Sequence, residues 1–352
     1  MNHHPPPRRG FPHPGRGFPH VRRGFPHVRR PFAQRQRGVA LIIALILVAL
    51  ATILATKLTF DGWLERRRTL GVLAAEQSLH FALGAEALAS DALLQSANGS
   101  TVTLAQSWAQ ASQPFPLTTD ESPDAEPIGV MRGSLEDMQG RFNLNSLGRI
   151  KSDGKTQDPA PLEQFQRLLV SVGLEAKWAG IARDWIDADD QPGNPDGAED
   201  SIYTSQTPPY RTGNWPMTSP TELMNLPGFG ADRYRKIAPY VTALPTATAT
   251  INICTAPGVV IESLADGLSG EYSGNPELLT SERKAGCFPD APTFARILGK
   301  SADAAKQYYA TTSSYFRLTT RVTLGTTEFT LYSLLYRGTG KVTPLLRTFG
   351  SL

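Results

Sequence analysis

Residues 39–58 read VALIIALILVALATILATKL, a run whose only polar side chains are two threonines and Lys57 near its end. Twenty residues at helical rise extend about 30 Å, the thickness of a bilayer's hydrocarbon core. A helix packed inside a soluble protein keeps a polar stripe where it meets water, and this run has none. It is therefore read as a membrane-inserted helix, and it fixes the topology of the whole chain. Arg29, Arg30, Arg35 and Arg37 come immediately before it. Basic residues stay on the cytoplasmic side, so the N-terminus is cytoplasmic and everything after Leu58 is exported.

The charge balance agrees with that division. The formal net charge of +3 hides a basic leader, because residues 1–38 hold nine arginines and no acid. Beyond it, 26 basic side chains face 32 acidic ones, which is not the footprint of a nucleic-acid binder. The leader repeats Arg-Gly-Phe-Pro-His at 9–13, 16–20 and 23–27, and proline and glycine in each unit exclude a helix. Cys254 and Cys287 have no CxxC spacing, so a thiol metal site is not expected. In an exported, oxidising compartment the two are expected to form a disulfide.

The junction at Gln36-Arg37-Gly38 runs straight into the apolar stretch, with no small-residue cleavage site of the secretory type. At this point the sequence resembles the type IV pilins and the type II secretion pseudopilins. The resemblance implies that a prepilin peptidase cuts between Gly38 and Val39 and leaves the apolar helix in the mature protein. It also implies a glutamate at the fifth mature position, where this chain has Ile43. In those families that carboxylate is thought to pair with the N-terminal amine of the subunit nearer the tip. An unpaired carboxylate in hydrocarbon is costly, so a subunit with nothing ahead of it is better served by an apolar residue. The similarity is thus to the K-type minor pseudopilin, which takes the tip.

Residues 60–95 contain no proline, and Val72, Ala75, Leu79, Leu83, Ala87 and Leu94 recur at helical spacing, with Asn98-Gly99 as a stop. Strand signals lie at 128–144 and at 316–324, where Phe316, Leu318, Val322 and Leu324 share a face. Gly325-Thr326 turns the chain into 329–336, a C-terminal hairpin. Between these, residues 145–250 read as short helices: 162–172 and 175–187 joined around Gly173, then a pair opened by the Ser219/Glu222 capping box. The expected fold class is α+β, a pilin-like long N-terminal helix on an antiparallel sheet with an inserted all-helical domain. The expected boundaries are a cleaved leader (1–38), a transmembrane part of the spine helix (39–58), and spine plus first strands (59–144). The helical insertion (145–250) and the rest of the pilin domain (251–352) complete the chain.

Leu226-Pro-Gly-Phe-Gly230 followed by Ala-Asp-Arg-Tyr-Arg-Lys has the form of a helix-hairpin-helix, whose turn can hold a phosphate. A membrane-anchored DNA-binding protein of an uptake pilus is therefore the alternative. Residues 145–250 carry thirteen acids against ten bases, a field that repels nucleic acid, and the hairpin is expected to be scaffold.

The strongest chemical signal is the stretch 184–200, DWIDADDQPGNPDGAED, with seven carboxylates and no basic side chain. Crowded carboxylates are unfavourable in a folded loop unless a cation neutralises them, and oxygen donors without His or Cys select Ca²⁺ over zinc or copper. Asp187, Asp189, Glu199 and Asp200 are the leading ligand candidates, with Asp190, Asp196 and Asn214 behind them. Pro192 stands where an EF-hand loop needs glycine, so this is not that motif. The K-type resemblance also implies calcium in the helical domain. No catalytic constellation is present: His80 is the single histidine after the leader, and there is no Gly-rich phosphate loop or zinc motif. The expected partners are other minor pseudopilins along the spine helix, the prepilin peptidase and the inner membrane, with the head periplasmic.

Overall fold

The computed structural model describes residues 37–96, 101–110, 112–118, 126–265, 275–283, 286–288, 293–294, 298 and 307–350. The leader repeats and the Asn98-Gly99 stop lie outside them. The chain divides into two compact units, residues 1–65 and 66–352.

In the first unit, the helix α1 (Arg37–Gln95) begins, and every side chain from residue 38 to residue 63 is exposed. Among the described residues, one apolar helix is long enough to cross a membrane. Its hydroxyls are satisfied within the helix: Thr52, Thr56 and Thr59 donate to carbonyls one turn back at 2.7, 2.8 and 2.8 Å. Such bonding lets a threonine sit in hydrocarbon without an orphan donor.

The second unit holds the rest of α1 and all the strands. In chain order these are β1 (Phe115–Leu117), β2 (Gly129–Asp137), β3 (Phe142–Asn143), α2 (Pro159–Ser171), α3 (Trp178–Asp184) and α4 (Asp200–Tyr203). They continue with α5 (Gly230–Ile237), β4 (Val241–Thr242), β5 (Ile251–Asn252), α6 (Gly258–Ser263), α7 (Pro276–Ser281) and β6 (Tyr309–Ala310). The chain closes with β7 (Tyr315–Leu324), β8 (Thr327–Gly338) and β9 (Lys341–Phe349). The main sheet is antiparallel with order β1-β2-β7-β8-β9. The expected hairpin is therefore three strands, since β8 turns again at Gly340 into β9.

Helix α1 packs on one face of this sheet, but through a stripe different from the expected one. Ser78, Ala82, Ala85, Glu86, Ala89 and Leu93 are buried, whereas Leu79, Leu83 and Leu94 are half-buried and Ala87 and Val72 are exposed. Three alanines on the contact face let the helix lie close to the strands, and the larger leucines fall to the flanks. Opposite them the sheet contributes Leu117, Met131, Val322, Leu324 and Leu331, then Phe316, Leu318 and Leu335 with Trp108. The alternation predicted at Phe316, Leu318, Val322 and Leu324 is thus the core face.

One polar contact is embedded in that apolar layer. Glu86 accepts from Arg347 of β9 at 2.7 and 2.9 Å and from Ser333 of β8 at 2.6 Å. Burial alone raises this carboxyl, but the bonds from Arg347 and Ser333 outweigh it and hold it below its usual range.

The insertion leaves the sheet after β2 and has its own core, built on Phe142, Phe165, Leu168, Trp178, Tyr203 and Phe229. The boundary expected at 250 does not divide the cores. Ile251, Ile253, Val260, Ile261, Leu279 and Phe288 share the helical core, and the Cys254–Cys287 disulfide lies within it. Sheet packing resumes only at β7. Two short parallel pairs stitch the ends of the insertion, β3 with β4 and β5 with β6.

At its root sits the buried Asp137. Its Oδ2 accepts from Asn252 (2.9 Å), Thr255 (2.6 Å) and Ser313 (2.6 Å), and its Oδ1 from the Gln139 N–H (2.8 Å). Burial nonetheless pushes its carboxyl above the ordinary range. Gln139 in turn donates to the Thr250 carbonyl and accepts from the N–H of Ser314. Gln139 and Ser313 come from the points where the chain leaves and re-enters the sheet, and Asn252 and Thr255 from the helical domain between them.

Candidate metal centre

Helix α3 ends in the acidic loop, and Asp184 at its last position organises that loop. Its Oδ2 accepts the N–H of Gly193 and of Ala198, both at 2.9 Å, which folds the loop back over the helix end. The turn is closed by the Gly197 N–H to the Gly193 carbonyl at 2.6 Å. A Cβ on Gly197 would overlap the Gly193 backbone and the Asp184 carboxylate, so glycine is required for close approach rather than for flexibility. Asp184 was legible only as one of seven acids; its role appears in the hydrogen bonds.

The fold brings three of the predicted carboxylates together. Asp187, Asp189 and Glu199 each present an oxygen, all within 4.8 Å of one another. Glu199 is 3 % exposed, and neither of its oxygens has a hydrogen-bond partner. Oδ1 of Asp187 is also buried without a partner, while its Oδ2 accepts weakly from Gln157 at 3.4 Å. Asn214, in a left-handed backbone conformation at φ 44°, adds a buried, unpartnered Oδ1. Its Nδ2 donates to Asp190 at 3.3 Å, so Asp190 supports this residue from the rim.

The other two candidates have different surroundings. Asp200 is engaged by Arg211 at 2.9 Å and by the N–H and hydroxyl of Thr212 at 3.0 Å. Those Thr212 and Arg211 bonds hold its carboxyl below the usual range, as an anchor for the segment leading to Asn214. Asp196 is exposed and outside the three-carboxylate cluster.

Buried acceptors with no donors are unusual in folded proteins, each costing about 1–3 kcal/mol when neutral and more when charged. Here the orphans are carboxylate and amide oxygens of Asp184, Asp187, Glu199 and Asn214, with the Nε of Arg183 an unpartnered nitrogen beside them. Burial pushes Glu199 up to about 7, reinforced by the charges of Asp184, Asp187, Asp189 and Asp190. Burial likewise pushes Asp187 up to about 6, with Asp189 and Asp184 adding repulsion. Three converging carboxylates are the kind of hard oxygen donor that a divalent cation takes. The residues fit the group that the sequence implies.

The loop is braced from outside by the hairpin. The Trp185 indole donates to Glu222 at 3.2 Å. The other oxygen of Glu222 accepts from the Thr218 and Ser219 N–H groups, completing the Ser219 capping box. Leu226 and Phe229 of the hairpin are buried, with the Phe229 ring 5.2 Å from Trp178. Arg233 donates to the carbonyls of Gly228 and Phe229 and lies over Trp178, and Arg235 pairs with Asp232. Two of the hairpin's cations are thus engaged within it, Arg233 by carbonyls and Arg235 by a carboxylate.

Comparison with known proteins places this arrangement. The family described as type II secretion system, protein K, matches residues 140–246, the insertion that carries the acidic loop. The type II secretion system protein K of Klebsiella pneumoniae is 32% identical over 86% of this chain and 93% of its own length. That of Pseudomonas aeruginosa is 33% identical over 90% of this chain and 93% of its own. Among solved structures, a chain of the GspK-GspI-GspJ complex from the enterotoxigenic Escherichia coli type 2 secretion system superposes with a TM-score of 0.70. It is 28% identical and is matched over its whole length, covering 81% of this chain.

Proposed function

The chain belongs to the type II secretion system protein K family, and from that premise we propose that it is the tip subunit of a pseudopilus. In this reading α1 is anchored in the inner membrane with its N-terminus cytoplasmic. Prepilin peptidase cuts between Gly38 and Val39, and the head lies in the periplasm. The observation that supports the tip position is Ile43, an apolar residue where a subunit with a neighbour ahead of it would carry a carboxylate. The bulk of the inserted helical domain beside the pilin sheet supports the same position, because it would obstruct a further subunit above. Partners are other minor pseudopilins, which pack along α1, and the assembly starts or caps the filament that drives export across the outer membrane. Catalysis has no part in this role.

The acidic loop serves this function by binding Ca²⁺. Asp187, Asp189 and Glu199 would hold the ion, and the unpartnered Oδ1 of Asn214 is a further donor candidate; Asp190, Asp196 and Asp200 shape the loop around it. The ion supplies the positive charge that the loop lacks and so rigidifies the insertion. What supports this is the set of unpartnered buried oxygens on Asp187, Glu199 and Asn214.

The test is co-purification from membranes. The wild-type chain should bring down other small pilin-like subunits and have Val39 as its first residue by N-terminal sequencing. Gly38→Val should leave the leader attached, keep the protein in the membrane and stop secretion. Recovery of a processed chain without pilin-like partners, or normal secretion without this protein, would defeat the reading.

A further inference from the structure

Arg66, Arg67 and Arg68 follow the apolar run on α1 with no break in the helix, and all three are exposed. In the topology proposed above they stand on the exported side, where basic residues are not favoured. Consecutive helical residues are about 100° apart, so three of them cover about 200° of the circumference. A neighbouring helix meets only a stripe of roughly 100°. No single helical partner therefore faces all three, whereas a surface that surrounds the helix does.

The axial spacing is that of a membrane surface. Counting about 1.5 Å per residue, the three Cα atoms lie about 12–15 Å beyond Leu58. Helical side chains lean toward the N-terminus, which here is toward the membrane, and long ones cover the preceding turn of about 5.4 Å. The guanidinium groups then reach about 7–10 Å beyond the hydrocarbon, from the outer part of a headgroup layer about 5–8 Å thick to just outside it. Phe60 and Trp63, 59% and 50% exposed, come between the apolar run and the arginines, as aromatic residues do at a bilayer interface. Asp61 and Glu65 reduce the net charge of the stretch, yet they precede the arginines, and cations outnumber anions over 61–68.

We propose that Arg66, Arg67 and Arg68 bind the phosphates of anionic lipid headgroups in the exported leaflet. A guanidinium offers paired N–H donors that match phosphate oxygens, which a zwitterionic headgroup presents beside its own compensating cation. The contact sets the height of α1 in the bilayer and is given up when the helix moves out of the membrane during filament growth. The inference rests on residues 39–58 spanning the membrane.

The experiment uses the full chain in nanodiscs of phosphatidylcholine mixed with phosphatidylglycerol. Native mass spectrometry then counts the lipids that remain after release from the disc. Wild type should retain phosphatidylglycerol well above its share of the mixture. Each single Arg→Gln change should lower that enrichment about fivefold. The triple variant R66Q/R67Q/R68Q should retain the two lipids in proportion to supply, while Arg235→Gln on the head should behave as wild type. Unchanged enrichment in a triple variant that still resists carbonate extraction overturns the proposal alone. So does unchanged enrichment combined with loss of pseudopilin partners, which would assign the arginines to a protein contact. Extraction of the wild-type chain by carbonate removes the membrane-span reading and the proposal together.

Discussion

Replacing Glu199 by glutamine should make the head more stable without calcium and less stable with it. In the ion-free loop this carboxylate is 3 % exposed, unpartnered on both oxygens, and pushed from the ordinary 4.5 up to about 7 by burial and then by its acidic neighbours. The folded state holds the proton to higher pH than the unfolded chain does. Ion-free stability therefore falls as pH rises from about 4.5 through about 7, by on the order of 3 kcal/mol for this one group. Glutamine keeps the shape and removes the charge. Part of the gain is lost because a buried amide also needs partners, which leaves ~1–3 kcal/mol in favour of the variant at pH 8 in chelator. Calcium reverses the order: at ~100 times its Kd, an ion held only by the folded loop stabilises wild type by about 2.7 kcal/mol. The assay is thermal unfolding of the unit formed by residues 66–352, in chelator and in calcium, from pH 5 to pH 8. Each kcal/mol moves the Tm of a domain this large by about 2 °C, so both shifts are measurable. The reasoning fails if Glu199→Gln is no more stable than wild type in chelator at pH 8, or if calcium raises both equally.

Gly197→Ala removes no ligand, yet its Cβ would displace the Gly193 backbone and the Asp184 carboxylate. It should abolish the calcium-dependent rise in Tm, whereas Asp232→Ala on the exposed hairpin should leave that rise intact. Arg347→Ala deprives the buried Glu86 carboxylate of two charged hydrogen bonds and should cost about 1.5–3 kcal/mol in a melting experiment at pH 7. The Glu86 carboxyl is depressed in the folded state, so this stabilisation is present above about pH 4.5 and lost as pH falls through the folded value. Melting curves of wild type and variant should accordingly converge in acid. Reduction of Cys254–Cys287, which closes a loop of sequence separation 33, should lower stability by about 3–4 kcal/mol. Both thiols should become alkylatable in denatured protein only after reductant is added.

Features set by local chemistry were legible in the sequence. An apolar run of bilayer length, the alternation at Phe316, Leu318, Val322 and Leu324, and the Ser219/Glu222 box each carry their meaning within twenty residues or fewer. The buried stripe on α1 did not, because Ala82, Ala85 and Ala89 are chosen for how closely they let a sheet approach, and hydrophobic size pointed to the leucines beside them. The strand β9 was hidden for a similar reason: it is an edge strand whose Leu345, Leu346 and Phe349 are 46%, 48% and 61% exposed, so no clean alternation marks it. In the acidic loop, charge density located the site but could not sort its members. Asp187, Asp189 and Glu199 converge, whereas Asp200 is turned to Arg211 and Thr212 and Asp184 takes the Gly193 and Ala198 amides. Those differences arise from donors up to fourteen residues away from the acid they meet. The extent of the helical domain was likewise obscured, since Ile251 and Leu279 join its core only after the chain has passed the β4 pairing.

The buried Asp137 has a consequence for the order in which the chain can mature during export. Its four donors are Gln139, Asn252, Thr255 and Ser313, and the strand it ends pairs with β7, which begins at Tyr315. In the topology proposed above, the residues after the anchor cross the membrane in chain order, so this acid arrives early and its last donor only after another 176 residues. Until then the carboxylate must stay hydrated, and β2 has no partner on the side that becomes the sheet's centre. The insertion is thus free to collapse first, and the pilin sheet closes behind it as the final, long-range step, which is slow because of the loop it must shut. A chain truncated after Ala310 should keep a protease-resistant helical core while β2 remains cleavable. Cleavage of both, or of neither, would contradict this order. Maturation of the head is in this way timed by the arrival of its C-terminus, so an incompletely exported subunit lacks the surface on which a filament could start.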